Sequence, residues 1–451
     1  MDLALHRRIA EAIAAAGGRA LLVGGCVRDS LLGIPSQDID CEVHGLAPEK
    51  LLALLSQFGE VDKSGEAFGV YTLRESGFDF ALPRIERRTG SAHTDFAVTP
   101  IPDLPPERAA ARRDFTVNAI MRDALTGEII DPYGGVQDLR GGVLRAVPGG
   151  QFAEDPLRVL RGAQFAARFA LTPDEATIAL MRAMLLGNLS AQRVTGEMMK
   201  ALLTADRPDI FFRVLAQAGA LKPWFLELHA LIGVPQSARY HPEGDAFEHT
   251  MLVLREAAAV RDTMRDPAAF MLIALTHDLG KATTTKLGDK GDWQSIRHEI
   301  EGLPLIAQML SRLGVSAGRI AYCQNLCRLH MRVHTCYYQG ARVSRTHILF
   351  DACTAPRELA WLCVCDARGT GKPRENADAE EAFIMERLRL YEEAAARPMP
   401  TGKMLMEAGA APGPQMKQLL ADAREKTLLG MDAQQAVRAV LRQKSPTQSR
   451  R

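Results

Sequence analysis

Apolar residues recur every three to four positions from about 3 to 16, the spacing of one helix face, and the short apolar run Ala20-Leu21-Leu22-Val23 follows as a strand. Gly24-Gly25 interrupts the pattern, and a second helix is expected to open at Cys26. From Asp38 to Val43 the alternation is strict. A strand there carries Asp38, Asp40 and Glu42 on one side and Ile39, Cys41 and Val43 on the other. A helical pattern near 48–56 and strand patterns at 68–74 and 78–83 come next. These strands are short and the last two closely spaced, which favours a small antiparallel or mixed sheet with helices on one face. From about residue 152 strand patterns nearly vanish, and long helical patterns take over, as in AEDPLRVLRGAQFAARFAL and from Glu248 to Val260. Breaks near 231–247 and 369–376 divide the helical part, and the tail KSPTQSRR is expected to fray. The expected class is α+β: a small mixed-sheet head over 1–150, an all-α neck and body over 151–235, a second all-α domain over 240–370 and a helical tail over 375–445.

Composition narrows the picture. The chain has 451 residues, 47% hydrophobic and 24% charged, which excludes long disordered or fibrous stretches. No apolar run approaches the ~18 residues a membrane-spanning helix needs, so no membrane partner is expected. The N-terminus mixes acids and bases on an amphipathic pattern, unlike a signal peptide. Eight cysteines, with no CxxC pair, sit mostly in apolar runs such as WLCVCDA, so a reducing, cytoplasmic setting is expected. Net charge is only +1, so any hold on nucleic acid must be local. Arginines do crowd one stretch: Arg84, Arg87, Arg88, Arg108, Arg112, Arg113, Arg140, Arg145, Arg158, Arg161 and Arg168.

The segment LLVGGCVRDSLLG followed by QDIDCEV carries the first candidate chemistry. Adjacent carboxylates repel unless a divalent cation lies between them, which suits Asp38 and Asp40. The strand–Gly24-Gly25–helix turn offers backbone N–H groups to a phosphate, with Arg28 one turn on. Alone, Gly-Gly is usually a tight turn and Asp-x-Asp a solvated face; together, in this order, they point to phosphoryl or nucleotidyl transfer. Three further elements agree. Ala111 to Ala119 places Arg112, Arg113 and Asp114 before an apolar helix, Asp131-Pro132-Tyr133-Gly134-Gly135 makes a turn, and Glu154-Asp155-Pro156-Leu157-Arg158 opens a helix that continues to Arg161.

Over about residues 20–235 this set closely resembles the class II, bacterial-type CCA-adding tRNA nucleotidyltransferases and the related bacterial poly(A) polymerases. The resemblance implies that tRNA is the partner and CTP and ATP the substrates, with CMP, CMP and AMP added without a nucleic-acid template. It implies that catalytic Asp38 and Asp40 hold Mg²⁺, that Gly24, Gly25, Arg28, Arg113 and Arg161 contact the triphosphate, and that Asp114 touches the ribose. Asp79, in FDFAL, is either a third carboxylate or a structural residue. The Pro- and Arg-rich segment 84–108 matches a loop such enzymes move between C and A addition, and Gln164 stands where a third arginine is common. Asp155 and Arg158 have their own logic. Cytosine and adenine both place an amine beside a ring-nitrogen acceptor, so a carboxylate and a guanidinium read them together, whereas guanine and uracil would face Asp155 with a carbonyl at a cost of ~1–3 kcal/mol. RRDFTVNAIM, DPYGG and the short tail favour the CCA branch over poly(A) synthesis, with CC-only or A-only addition left open.

Six of the eleven histidines lie between His241 and His334. His249 in AFEHTMLV, His277-Asp278 in THDLGK and Asp366 in LCVCDARG resemble the HD phosphohydrolase superfamily, with His298 and His330 able to complete a two-metal site for a divalent metal of unknown identity. His241 and His334 are expected to be structural. The resemblance implies activity on 2′,3′-cyclic phosphates and phosphomonoesters. An alternative of another class makes this hydrolase the principal activity and the head an RNA-binding module.

Overall fold

The structure, a computed structural model, describes residues 3–35, 39–65, 69–88, 96–149, 151–371 and 374–444. Asp38 and the tail from 445 lie outside them. The chain divides into two units, residues 1–201 with 210–223 and residues 202–209 with 224–451.

In the first unit the order is α1 (Leu3–Ala15), β1 (Arg19–Val23), α2 (Gly25–Leu31), β2 (Asp40–His44), α3 (Pro48–Leu55), β3 (Val61–Asp62), β4 (Val70–Leu73) and β5 (Phe78–Ala81). After the hairpin β6 (Arg84–Arg88) and β7 (Phe96–Pro100) come α4 (Pro106–Ala110), β8 (Met121–Asp123), β9 (Ile129–Ile130) and α5 (Gly135–Arg140). Seven strands form one mixed sheet, β3-β4-β5-β2-β1-β8-β9. Its period of two sorts the side chains. Ala20, Leu22, Cys41, Val43, Phe78 and Phe80 pack with Ile9 and Ile13 of α1 and Leu51 and Leu55 of α3, each fully buried Leu, Ile or Phe contributing ~1.5–3 kcal/mol. Leu21 and Val23 turn the other way, among Ala110, Ala119 and Met121. Register aligns Leu21 with Glu42 and Asp40 with Asp79 of the parallel neighbour β5. Asp40, Glu42 and Asp79 therefore share the sheet face turned away from α1 and α3.

Two expectations are corrected here. The apolar helix after Asp114 is a single 3₁₀ turn, Thr116–Asn118, because the next residues pair with β1 as β8. The segment 84–108 is a hairpin followed by a short helix rather than a loop, five register pairs joining β6 to β7; residues 89–95 at its tip lie outside the described residues. The short strands β10 (Val143–Leu144) and β11 (Thr172–Pro173) pair on either side of α6 (Leu157–Phe169), and the helices α7 (Glu175–Arg182), α8 (Ala191–Thr204) and α9 (Asp209–Gln217) carry the chain into its helical part.

The second unit is helical apart from the hairpin β12 (Thr285–Leu287) and β13 (Trp293–Ser295), among the described residues. It runs α10 (Leu226–His229), α11 (Ala246–Val260), α12 (Pro267–Thr276), α13 (Lys281–Thr284), α14 (His298–Arg312), α15 (Ala317–Tyr338), α16 (Val343–Asp351), α17 (Pro356–Arg368) and α18 (Arg374–Ala395). Helices α11, α12, α15 and α17 pack on one another, burying Met251, Leu254, Phe270, Ile273, Leu326 and Leu362 completely. Three last helices, α19 (Gly402–Glu407), α20 (Met416–Leu428) and α21 (Ala433–Lys444), close a small core of their own around Leu405, Leu419 and Val437. Among the described residues no helix is long and apolar enough to cross a membrane.

Candidate active site and candidate metal centre

On the carboxylate face of the sheet lies an open cavity of about 640 Å³ in the first unit. Its floor is the turn between β1 and α2. Gly24 takes φ +73°, and a Cβ there would come within 3.0 Å of Arg113 Nη1 and 3.7 Å of Asp40 Oδ2, so only glycine lets the backbone lie beside both. Nine cationic side chains line the cavity against three carboxylates, Asp40, Asp114 and Asp155, a composition suited to a polyanion.

Several of these cations are held by networks of their own. Arg28 Nη1 donates to Asn118 Oδ1 at 2.6 Å and its guanidinium lies 4.2 Å from the Phe169 ring. Burial lowers the pKa of Arg28, while Asp29 opposes the fall. Asp114 accepts from Arg161 Nε at 2.7 Å and from Asn118 Nδ2 at 2.9 Å. Burial works against the Asp114 carboxylate, yet Arg161 and Asn118 hold it below the usual range. Behind Asp40, buried Glu42 pairs with His44 at 3.1 Å and Arg112 at 3.2 Å. Burial opposes its ionisation, but the His44 hydrogen bond and then Arg112 and Arg113 bring the Glu42 carboxyl down to about 2.

Of the residues expected here, Gly24, Gly25, Arg28, Asp40, Arg113, Asp114, Asp155, Arg158 and Arg161 all line this one cavity. Asp38 is outside the described residues. Asp79 lies beside Asp40 in register and accepts from Thr72 Oγ1 at 2.5 Å. Asp155 and Arg158 are engaged by other partners. The carboxylate takes Arg193 at 2.8 and 3.1 Å, while Arg158 donates to the carbonyls of Gln151 and Arg112, each at 2.7 Å. Gln164 is buried but lines the cavity, as do Arg168, Arg193 and Lys200. Sequence reasoning missed Arg193, Lys200 and Asn118; Arg193 and Lys200 reach the cavity from α8, which no local motif links to Asp155.

The second unit holds the other cluster. His277 and Asp278 follow the last turn of α12, and Gly280 lets the backbone of α14 approach, since a Cβ there would sit 2.1 Å from the His298 carbonyl. Three imidazoles use the carbonyl three residues back in the same way. His277 Nδ1 meets Ala274 O at 3.0 Å, His298 Nδ1 meets Ser295 O at 2.7 Å and His330 Nδ1 meets Cys327 O at 2.6 Å. A carbonyl only accepts, so each Nδ1 carries a proton, and Nε2 is the ring nitrogen turned toward the centre. Those Nε2 atoms converge on Asp278, 3.3 Å away for His277, 3.1 Å for His298 and 3.9 Å for His330. His249 Nε2 lies 3.0 Å from Asp366 and 3.5 Å from Asp278. Three groups could hold a cation: His249–His277–Asp366 and Asp278–His298–His330 at the convergence, and His241–Glu243–His249 on the far side of His249.

This donor set fits divalent cations. His249 Nε2, His277 Nε2 and Asp278 Oδ2 are buried without an aligned hydrogen bond, although Lys281 Nζ is 2.7 Å from that oxygen. Burial raises the Asp278 carboxyl, but Lys281 and His277 hold it well below the usual range. Burial, with His298 and His277 beside it, takes His330 down to about 3, the neutral form a metal ligand needs. All six residues expected as ligands are thus brought together. His241 and Glu243 lie behind His249, and His334 lies 2.9 Å from Asp366.

Comparison with known proteins places the first unit. The family models described as "Poly A polymerase head domain" and "Probable RNA and SrmB- binding site of polymerase A" match residues 20–145 and 170–232. A "Multifunctional CCA protein" of Stenotrophomonas maltophilia (strain K279a) is 40% identical over 379 residues, 81% of this chain and 90% of that protein. Another, from Xanthomonas campestris pv. campestris (strain B100), is 38% identical over 419 residues, 89% of this chain and 96% of that protein. In fold the chain is similar to a CCA-adding enzyme solved in its apo form II, with a TM-score of 0.68 at 21% identity over 98% of this chain and 95% of that one. The relatives' identity and coverage set the conclusion: this chain belongs to the family of the multifunctional CCA proteins and is a nucleotidyltransferase.

Proposed function

We propose that the chain adds CMP, CMP and AMP from CTP and ATP to the 3′ end of tRNA, without a nucleic-acid template and with release of pyrophosphate. The observation that carries this reading is the cavity itself. A glycine turn and arginines suited to a triphosphate line it together with Asp155 and Arg158. Asp40, with Asp38 from outside the described residues, would hold Mg²⁺, and Asp79 stands beside Asp40 as a third carboxylate. Mg²⁺ supplies charge neutralisation at the triphosphate and activation of the primer hydroxyl. Arg28, Arg113 and Arg161 orient the phosphates, and Asp114 sits at the ribose. Two backbone carbonyls hold Arg158, whose guanidinium would donate to a ring nitrogen, while Asp155 would accept from the amine of cytosine or adenine. The 1–150 segment is read as the nucleotidyltransferase head and 151–235 as the neck and body that contact base and tRNA. The eight free thiols suit a reducing, cytoplasmic setting.

The test is a gel assay with tRNA lacking its 3′ CCA, given labelled CTP, ATP, UTP or GTP separately and together. Three additions with CTP plus ATP and then a stop support the reading. A stall after two C residues, a single A or a ladder of A residues assigns CC addition, A addition or poly(A) synthesis instead.

The converging Nε2 atoms favour a second activity, a metal-dependent phosphohydrolase over 240–370 that acts on 2′,3′-cyclic phosphates and phosphomonoesters. His249, His277, Asp278, His298, His330 and Asp366 would hold the metal, which supplies an activated water and charge neutralisation at phosphorus. Asp278→Ala should remove hydrolysis and leave nucleotide addition intact. Hydrolysis without any nucleotide addition in the wild-type chain would instead make the head an RNA-binding module.

A further inference from the structure

His334 differs from His277, His298 and His330 in what its ring meets, and from His249 in that both of its ring nitrogens make aligned hydrogen bonds, His249 Nε2 being buried without one. His277, His298 and His330 each turn Nδ1 to a backbone carbonyl of their own chain segment, so that Nε2 faces the centre. His334 lies between two carboxylates. Nδ1 hydrogen-bonds with Glu380 Oε1 at 2.7 Å and Nε2 with Asp366 Oδ2 at 2.9 Å. Both ring nitrogens are thus engaged by carboxylates, and neither is left to face a cation. The other Asp366 oxygen, Oδ1, faces His249 Nε2 at 3.0 Å. Glu380 is 95% buried and comes from α18, whereas His334 belongs to α15 and Asp366 to α17.

Resting on the metal-centre reading above, we infer that Glu380 and His334 are positioning residues that clamp Asp366 and make the centre depend on the docking of α18. Glu380 orients the ring, the ring fixes Oδ2, and Oδ1 is thereby aimed at the cation with no search of its rotamers. Outer partners of this kind change metal affinity by about 10- to 100-fold. Since α18 supplies the last link of the chain, a cation bound at Asp366 favours the docked helix, and loosening the helix weakens the cation by the same factor.

The test uses the full-length chain, stripped of metal, and Mn²⁺ as the probe. Calorimetric titration gives stoichiometry and affinity for wild type, Asp278→Ala, Glu380→Gln and His334→Gln, with circular dichroism confirming that each is folded. Glu380→Gln and His334→Gln are expected to keep the wild-type stoichiometry and bind about 10- to 100-fold more weakly, and nucleotide addition should be unchanged. Hydrogen exchange in α18 should slow on Mn²⁺ addition in wild type but not in Glu380→Gln. One ion fewer in His334→Gln, with Glu380→Gln at wild-type affinity, would make His334 a ligand and overturn the clamp. Uptake lost in Asp278→Ala but unaltered in both other variants would also overturn it while leaving the metal centre standing. No uptake by wild type would overturn the centre and the clamp together.

Discussion

Asp40 opens β2 with its side chain exposed, so it contributes little to packing. Asp40→Ala should therefore abolish CMP and AMP incorporation while moving Tm by no more than a degree or two, measured by primer extension and calorimetry on one preparation. Arg193 holds both oxygens of Asp155, the carboxylate proposed to read the base. Removing it in Asp155→Ala should cost ~1–3 kcal/mol of discrimination, so that UTP and GTP compete with CTP and ATP in the labelled-nucleotide assay. Unchanged selectivity would assign base reading to another group. Asp123 works for the fold instead. It accepts from Arg19 at 2.7 Å and from the N–H groups of Leu125 and Thr126. Burial raises its pKa, but those backbone N–H groups and Arg19 bring it below the usual value of 3.8. A carboxyl depressed in the folded state stabilises above its unfolded pKa and stops doing so as pH falls through the folded one. Asp123→Asn should accordingly lose roughly 1 kcal/mol at pH 7, and the difference from wild type should shrink as the pH falls below the ordinary carboxyl range and vanish once the folded-state carboxyl is protonated, in denaturant titrations.

At the scale of elements, close approaches of backbone decide where side chains meet. Gly280 ends the turn that carries His277 and Asp278, and its Cα faces the first turn of α14 at a distance no Cβ tolerates. Gly280→Ala should push α14 outward, moving His298 from Asp278, and Mn²⁺ affinity should fall more than global stability does. Equal metal affinity in the variant would show that α14 adjusts without moving its histidine. Local pattern made much of this level legible. The alternation from Ile39 to Val43 is visible because one face meets α1 and α3 and the other does not. The Asp131 turn is visible because its carboxylate accepts from the N–H groups of Gly135 and Val136, a contact four and five residues long. Strands β8 and β9 left no such mark. Three and two residues hold too little of a period to read, and they exist because β1 offers an edge for pairing.

For the whole molecule, the cavity lies in one unit and the histidine centre in the other, and each draws its groups from its own unit. Removing divalent metal with a chelator should silence both activities, and the two losses should separate genetically. Asp278→Ala should lose hydrolysis alone and Asp40→Ala nucleotide addition alone. Loss of both in either variant would mean that the centres depend on one another.

What the amino-acid order determined by itself is whatever a few neighbouring residues settle: the Gly24-Gly25 turn, the side of β2 that carries Asp40, the helix that Leu157 opens, and the His277-Asp278 pair after an apolar helix. Backbone dihedrals and a period of two or 3.6 act over one or two turns, so they are written locally. The partners of those groups were decided only by packing. Arg193 reaches Asp155 across 38 residues, Arg28 reaches Asn118 across 90, and Glu380 reaches His334 across 46. An arginine or glutamate on a helix has the same local pattern whether it faces water or a buried carboxylate. The difference is made when two elements meet and a charge removed from water must find its opposite.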